Sequence, residues 1–129
     1  MGERQNISSG TPWEDQIGYS RAVRIDNLIE VSGTTAVDGD TIIGQGNVYE
    51  QTRFVFKKIE NALQQAGSGL QDVVRTRMYV TDISKWEEVG KAHAEFFSTI
   101  KPAATMVEVK SLIHSELLIE IEVTAYLKK

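Results

Sequence analysis

The 129-residue sequence predicts an α+β domain in which two helices pack on one face of a mixed β-sheet. Two observations predict this fold class. Two segments carry apolar residues at helical spacing, and several shorter segments alternate between apolar and polar residues, which is typical of strands. Along the chain the predicted order is ββ(β)αβ followed by αββ. No linker or low-complexity segment interrupts this order, so the length and pattern indicate a single domain.

The N-terminal segment differs from the rest of the chain because it is polar. It contains Gly10, Pro12 and Gly18, and it lacks the apolar core of a signal peptide. We therefore expect a loosely held N-terminal arm at 1–18, followed by one domain at 19–129.

The domain is predicted to begin with a β-hairpin. Residues 19–25 alternate in the manner of a strand, and a second apolar run follows at 28–31. Asp26 and Asn27 lie between the two runs and are common turn residues, which favours a hairpin. A short further strand is predicted at 41–43.

Two helices are predicted from their start and stop signals. In the first, Asn47 can cap the N-terminus, and Gly67 stands where a left-handed residue is expected after the last turn. In the second, a capping box at 84–87 predicts the start. Pro102 follows its end, because a proline disfavours helical geometry in the residue before it. His93 falls within the apolar stripe of this second helix.

Three further strands are predicted, at 72–80, 105–109 and 117–126. Their alternation places Arg75 and Arg77 on one face of the first strand, and Glu120 and Glu122 on one face of the last. Cross-strand pairing between these arginines and glutamates is one interpretation. The other is that one carboxylate lies in a cleft, where it handles a proton or orients water.

Composition and missing motifs exclude several classes of protein. Lys and Arg number 14 against 18 for Asp and Glu, and a net charge of −4 makes a poor phosphate-backbone binder. Without cysteines there is no disulfide or thiolate metal site, and the two histidines do not match common metal-site spacings. No apolar run could span a bilayer. We therefore expect a cytoplasmic protein with no metal or other cofactor, no nucleic-acid or membrane partner, and a small-molecule ligand.

Three other features each allow two interpretations. His93 is either a core histidine or a group for proton transfer near neutral pH. Tyr19 is either a surface aromatic or a pocket wall with a hydroxyl for hydrogen bonding. Ser32 and Gly33 form either a turn or a pair of backbone N–H groups open to an anionic ligand.

Taken together, short motifs along the chain resemble those of the RidA/YjgF family in type and order. The motifs are Gly18-Tyr19, Ser32-Gly33, the run from Arg77 to Asp82, Pro102-Ala103, the run from Val107 to Val109, and the run from Ile119 to Glu122. The resemblance covers the chain from Tyr19 to its C-terminus. It implies a chorismate-mutase-like fold and a homotrimer with ligand pockets between subunits. It also implies metal-free hydrolysis of reactive 2-imino acids or enamines to 2-keto acids and ammonia.

The resemblance also implies roles for particular residues. Tyr19 is similar to the family's pocket tyrosine, and Gly33 to its backbone contact with the ligand. Glu120 resembles the glutamate that positions the attacking water. On this basis Glu120 and Tyr19 are the predicted catalytic residues, and His93 and Arg77 are further candidates.

One position departs from the family pattern. Family deaminases carry an arginine directly after Pro-Ala that grips the substrate carboxylate, and here that residue is Ala104. Alanine cannot replace the bidentate guanidinium fork. We still expect Ala104, Thr105 and Met106 to contact substrate, but 2-imino acid deaminase activity should be weak unless Arg77 or Lys110 compensates.

Two classes of function therefore fit the sequence. The first is hydrolytic deamination of an imine, an enamine or a related small metabolite. The alternative is a non-catalytic trimer that binds a small molecule in the same cleft. A ribonuclease or translation inhibitor is a third interpretation, which the net charge of −4 disfavours.

Overall fold

A computed structural model of the protein describes residues 3–128 and has the predicted α+β architecture. Its elements are β1 (Arg4–Ile7), α1 (Pro12–Ile17), β2 (Ala22–Ile25), β3 (Leu28–Thr34), β4 (Val37–Asp38), β5 (Thr41–Ile42), α2 (Val48–Gln65), a 3-10 turn (Leu70–Asp72), β6 (Val73–Val80), a second 3-10 turn (Ile83–Lys85), α3 (Trp86–Phe97), β7 (Ala103–Glu108) and β8 (Ile119–Tyr126). No helix in this range is long and apolar enough to cross a membrane.

Six strands form one mixed sheet in the order β1-β2-β3-β8-β6-β7. β6 and β7 are parallel because α3 crosses over between them, and every other neighbouring pair in the sheet is antiparallel. β4 and β5 pair with each other in a separate two-stranded ribbon. The C-terminal strand β8 therefore lies at the centre of the sheet, between β3 and β6.

The core lies between the sheet and the two long helices. In β8 the side chains of Ile119, Ile121 and Val123 are fully buried, and α2 contributes Phe56 and Ile59 to the same apolar layer. Successive strand residues point to opposite faces, so the glutamates of β8 project from the face that the helices do not cover. This alternation positions the candidate site.

Residues 3–18 are more ordered than the loosely held arm expected at 1–18. Residues 4–7 form the edge strand β1, which pairs antiparallel with β2, and Ile7 is buried in the core. A short helix, α1, follows. The polar composition did not indicate a strand here, because only one of its four side chains is buried. An edge strand of this kind is fixed largely by backbone pairing.

The helix signals were confirmed in part. The Asn47 side chain accepts a hydrogen bond from a backbone N–H of the first turn of α2 at 3.1 Å, and Gly67 has the expected left-handed φ of +87°. The predicted capping box at 84–87 is wrong. Asp82 instead caps the preceding 3-10 turn, where its carboxylate accepts from the Ser84 N–H at 3.0 Å.

The predicted facing of β6 is wrong at its first residues. Strict alternation along 72–80 places Val74 on the face of Thr76 and Val80, yet it is 49% exposed whereas Val73 is buried. The pairing with β8 shifts register between Val73 and Arg75. Before this irregularity the inward and outward positions of the strand are exchanged, so Val73 faces the core and Val74 faces away from it.

Candidate functional site

A cleft of about 300 Å³ opens on the sheet face that the helices leave uncovered. Its lining residues are Gly33, Tyr79, Val109, Ser111, Leu112, Glu120 and Glu122. They come from β3, β6, β8 and the segment that follows β7. The cleft combines two carboxylates with an apolar wall, which is the usual composition of a small-molecule site.

Glu120 lies directly against Gly33. A β-carbon at Gly33 would overlap the Glu120 carboxylate, so the close approach requires glycine. The pairing of β3 with β8 shifts register between Val31 and Thr34, which places Gly33 within this irregularity. Such shifts re-aim backbone and side chains locally, and they occur often beside functional sites.

The electrostatic surroundings of Glu120 suit a group that handles protons. Its side chain is half-buried, and this burial raises the pKa of the carboxyl above its ordinary value. The Arg21 guanidinium lowers the pKa and the Glu122 carboxylate raises it further. A carboxyl with a raised pKa exchanges its proton closer to neutral pH than an ordinary glutamate does.

The second carboxylate of the cleft is held by neighbouring side chains. The Tyr79 hydroxyl donates to Glu122 Oε1 at 2.9 Å, and Arg77 Nε lies 3.9 Å from the same oxygen. The hydrogen bond to Glu122 raises the pKa of the Tyr79 hydroxyl. Arg77 and Glu122 are direct cross-strand partners. The interpretation as a cross-strand pair with an arginine therefore applies to Glu122. Glu120 is the carboxylate that packs against the Gly33 backbone.

Tyr19 lies beside the cleft without lining it. It precedes β2, is 38% exposed, and its backbone N–H donates to the Glu14 carbonyl at 3.0 Å. The centre of its ring is 5.9 Å from the guanidinium carbon of Arg21. Arg21 in turn donates from Nη2 to the Gly33 carbonyl at 2.5 Å, so Tyr19 is linked to the cleft through Arg21.

The predicted substrate residues on β7 do not line this cleft within one chain. Ala104 is exposed, and its register partner is Thr76, a buried residue of the helix-facing side. Met106 packs against the core. Thr105 lies on the other face and accepts a hydrogen bond from Arg75 Nη2 at 2.5 Å. A single chain therefore does not bring Ala104 together with the carboxylates.

His93 lies on the helix side of the sheet, away from the cleft. Its Nε2 is 3.0 Å from Thr76 Oγ1. The centre of its ring lies 5.6 Å from that of Phe56, in an edge-on arrangement, and 4.8 Å from that of Phe97, in a tilted one. Burial lowers the pKa of the imidazole. These contacts favour the core interpretation of His93. Lys110 is exposed, between two residues that line the cleft.

The sequence did not predict a site role for Tyr79, Ser111 or Leu112, although Tyr79 lies within the motif from Arg77 to Asp82. Tyr79 shares the face of Arg77 in an alternating strand and is the cross-strand partner of Glu120, so the alternation could have found it. Ser111 and Leu112 lie in an irregular segment with no periodic signal. Within residues 3–128 no group of three or more His, Asp or Glu side chains could hold a metal ion.

Comparison with known proteins places this geometry in a family. The family model described as Endoribonuclease L-PSP matches residues 13–127. Protein SCO2049 of Streptomyces coelicolor is 38% identical over 122 residues, which cover 95% of this chain and 91% of that protein. The 3-aminoacrylate deaminase RutC of Acinetobacter baylyi is 31% identical over 121 residues, which cover 93% of this chain and 94% of that protein.

A solved structure agrees with these sequence matches. Rv2704 from Mycobacterium tuberculosis, a member of the YjgF/YER057c/UK114 family, superposes with a TM-score of 0.88 at 51% identity. The match covers 97% of this chain and 100% of that one. By sequence and by fold, the chain belongs to the RidA/YjgF family.

Proposed function

We propose that this protein is a hydrolytic deaminase that converts a reactive imine or enamine to a carbonyl compound and ammonia. The observation that carries the proposal is the half-buried Glu120 carboxylate, packed against Gly33 and open to a cleft. The similarity to a protein named 3-aminoacrylate deaminase supports the reaction class.

The chemistry follows from the position of Glu120 in the cleft. Ionised Glu120 takes a proton from a water molecule as the water oxygen adds to the C=N carbon. The carboxyl returns that proton to the nitrogen, which gives a carbinolamine. Transfer of the hydroxyl proton to the nitrogen then forms the carbonyl and releases ammonia. An enamine enters the same route once it has tautomerised to the imine, in which the carbon gains a proton and the nitrogen loses one, and no cofactor is needed for any of these steps.

The substrate class follows from position 104. Ala104 offers no guanidinium to a carboxylate, and Arg77 is occupied with Glu122 and Thr124. A cleft that already holds two carboxylates disfavours a third by like-charge repulsion. The proposed substrate is therefore a small imine or enamine without a carboxylate. The proposal also includes action in the cytoplasm and no nucleic-acid partner.

We further propose that the complete site forms between subunits of a homotrimer. Ala104 and the Glu120 cleft lie on opposite faces of the sheet, so Ala104 can reach such a cleft only from a second copy of the chain. Val74 and Val107, at 49% and 42% exposure, leave apolar surface on the strands around the site. Exposed apolar patches of this kind mark association surfaces.

The test is ammonia release from a carboxylate-free imine that a flavin amine oxidase generates in situ. Wild type should accelerate release over the uncatalysed rate, and Glu120→Gln should reduce that acceleration on the order of a hundredfold. Glu30→Gln is the matched control, because Glu30 is a carboxylate of the same sheet that bonds Thr124 outside the cleft. Saturable imine binding with no acceleration in any variant would instead support the non-catalytic binding trimer.

A further inference from the structure

We propose that Arg21 is a positioning residue for the Glu120 cleft, which holds the Gly33 backbone in place and balances the charges around the carboxylate. Of the measurements that test this inference, only the activity measurement rests on the proposed function. Arg21 does not line the cleft, and no motif of the family resemblance includes it.

The backbone of Arg21 is fixed from both sides. Its N–H donates to the Ile7 carbonyl at 2.8 Å, and its carbonyl accepts from the Ser32 N–H at 3.0 Å. These bonds tie the residue to β1 on one side and to β3 on the other. The side chain therefore starts from a rigid point, directly before β2.

The side chain of Arg21 connects three residues predicted at the site. Nη2 donates to the Gly33 carbonyl at 2.5 Å, and the guanidinium carbon lies 5.9 Å from the centre of the Tyr19 ring. Gly33 in turn contacts the Glu120 carboxylate. A hydrogen bond from a charged donor fixes the Gly33 carbonyl more firmly than a neutral one would. Movement of Arg21 would thus move the surface against which Glu120 rests.

The charges around Glu120 point to the same role. Burial of Glu120 and the Glu122 carboxylate raise its pKa, and Arg21 is the cation that lowers it. Tyr79 faces Glu120 from β6 as a neutral hydroxyl engaged with Glu122. Arg21 also lowers the pKa of Glu14 and of Lys58. Without Arg21, burial and Glu122 would act on Glu120 unopposed.

Arg21 also differs from an ordinary structural arginine. Its Nε is buried and, among residues 3–128, has no hydrogen-bond partner. Leaving a buried donor unsatisfied carries a free-energy cost, so such a group calls for a specific reason. Arg24 on β2 offers a contrast: its Nε donates to the Asp26 carbonyl at 2.8 Å and its Nη1 to the Ala66 carbonyl at 2.6 Å.

The direct test is carbon-13 NMR titration of the Glu120 carboxyl, assigned by the loss of its signal in Glu120→Gln. Arg21→Gln should raise the pKa of Glu120, whereas Arg24→Gln should leave it at the wild-type value. Equal pKa values in wild type and Arg21→Gln, or an equal rise in Arg24→Gln, would overturn the inference. This measurement needs no turnover.

Arg21→Lys provides a second variant in case Arg21→Gln does not fold. Lysine keeps the charge but lacks the planar fork. It should hold the pKa of Glu120 near the wild-type value while shifting the backbone resonances of Gly33. Unchanged Gly33 resonances would remove the positioning role.

The activity readout separates this inference from the proposed function. Since Glu120 must be ionised to accept a proton, Arg21→Gln should shift the acid limb of the ammonia-release profile to higher pH. If the NMR shift is seen and no chain releases ammonia, the deaminase proposal fails while the role of Arg21 stands. If wild type releases ammonia and Arg21→Gln changes neither measurement, the role of Arg21 fails instead.

Discussion

Glu120 approaches Gly33 so closely that a β-carbon on Gly33 would occupy the space of the Glu120 carboxylate. Gly33 does not have a left-handed φ, so glycine is needed there for space and not for backbone conformation. The register shift in β3 brings the backbone to this position. The glycine is therefore part of the carboxylate's site.

Gly33→Ala should impair the site without unfolding the protein. The added methyl group meets the flexible end of a side chain, so the free energy of unfolding should change by less than about 1 kcal/mol. The carboxylate must move, and displacement of a reacting group on the ångström scale costs on the order of a hundredfold in rate. Urea denaturation and ammonia release measure the two effects. Unimpaired release would show that the position of Glu120 does not matter.

Gly90→Ala is the matched glycine substitution outside the cleft. Gly90 lies inside α3, and a β-carbon there meets nothing within 4 Å. Because glycine in a helix interior is less favourable than alanine, the free energy of unfolding should rise by about 0.5–1 kcal/mol. Ammonia release should stay at the wild-type rate. A lower urea midpoint than wild type would contradict the prediction.

The elements predicted correctly are those with local signals. Asn47 and Gly67 bracket α2 because capping and left-handed geometry depend on neighbouring residues. The features that the sequence did not predict depend on contacts between residues that are distant along the chain. Residues 4–7 become a strand through pairing with β2, and Val74 turns outward because β6 slips against β8. No local pattern encodes either effect.

The same distinction applies to the candidate site. Alternation placed both glutamates on one face, and the resemblance named Glu120. The different surroundings of Glu120 and Glu122 follow from the register of β8 against β6 and from the irregularity at Gly33. Arg21 meets Gly33, and Tyr79 meets Glu122, only in the folded sheet.

His93 should make stability depend on pH. Burial holds the pKa of folded His93 below its ordinary value of 6.5, so just below that value the unfolded chain binds a proton that the folded chain does not. The free energy of unfolding should therefore fall as the pH decreases through 6.5. Urea denaturation at about pH 7.5 and about pH 5.5 measures the fall.

His93→Gln should make this fall smaller, because the titrating group is gone. His114→Gln is its control, because it removes the other histidine of the chain from an exposed position and leaves the core unchanged. An equal fall in wild type and His93→Gln would assign the pH dependence to other groups.

The protein should form a homotrimer in solution. Light scattering at micromolar concentration is expected to report about three times 14.4 kDa. A stable monomer would remove the proposed inter-subunit cleft, since Ala104 and Glu120 do not meet within one chain.

The most direct measurement compares ammonia release from a 2-imino acid, made in situ by an amino-acid oxidase, for three chains. Wild type should be slow. Ala104→Arg should be faster by about a hundredfold, because hydrogen bonds to a charged group contribute roughly 1.5 to 3 kcal/mol each. Ala104→Arg combined with Glu120→Gln should lose that gain. Equal rates in wild type and Ala104→Arg, or full activity in the double variant, would contradict a Glu120 cleft in which Ala104 stands in place of the carboxylate-binding arginine.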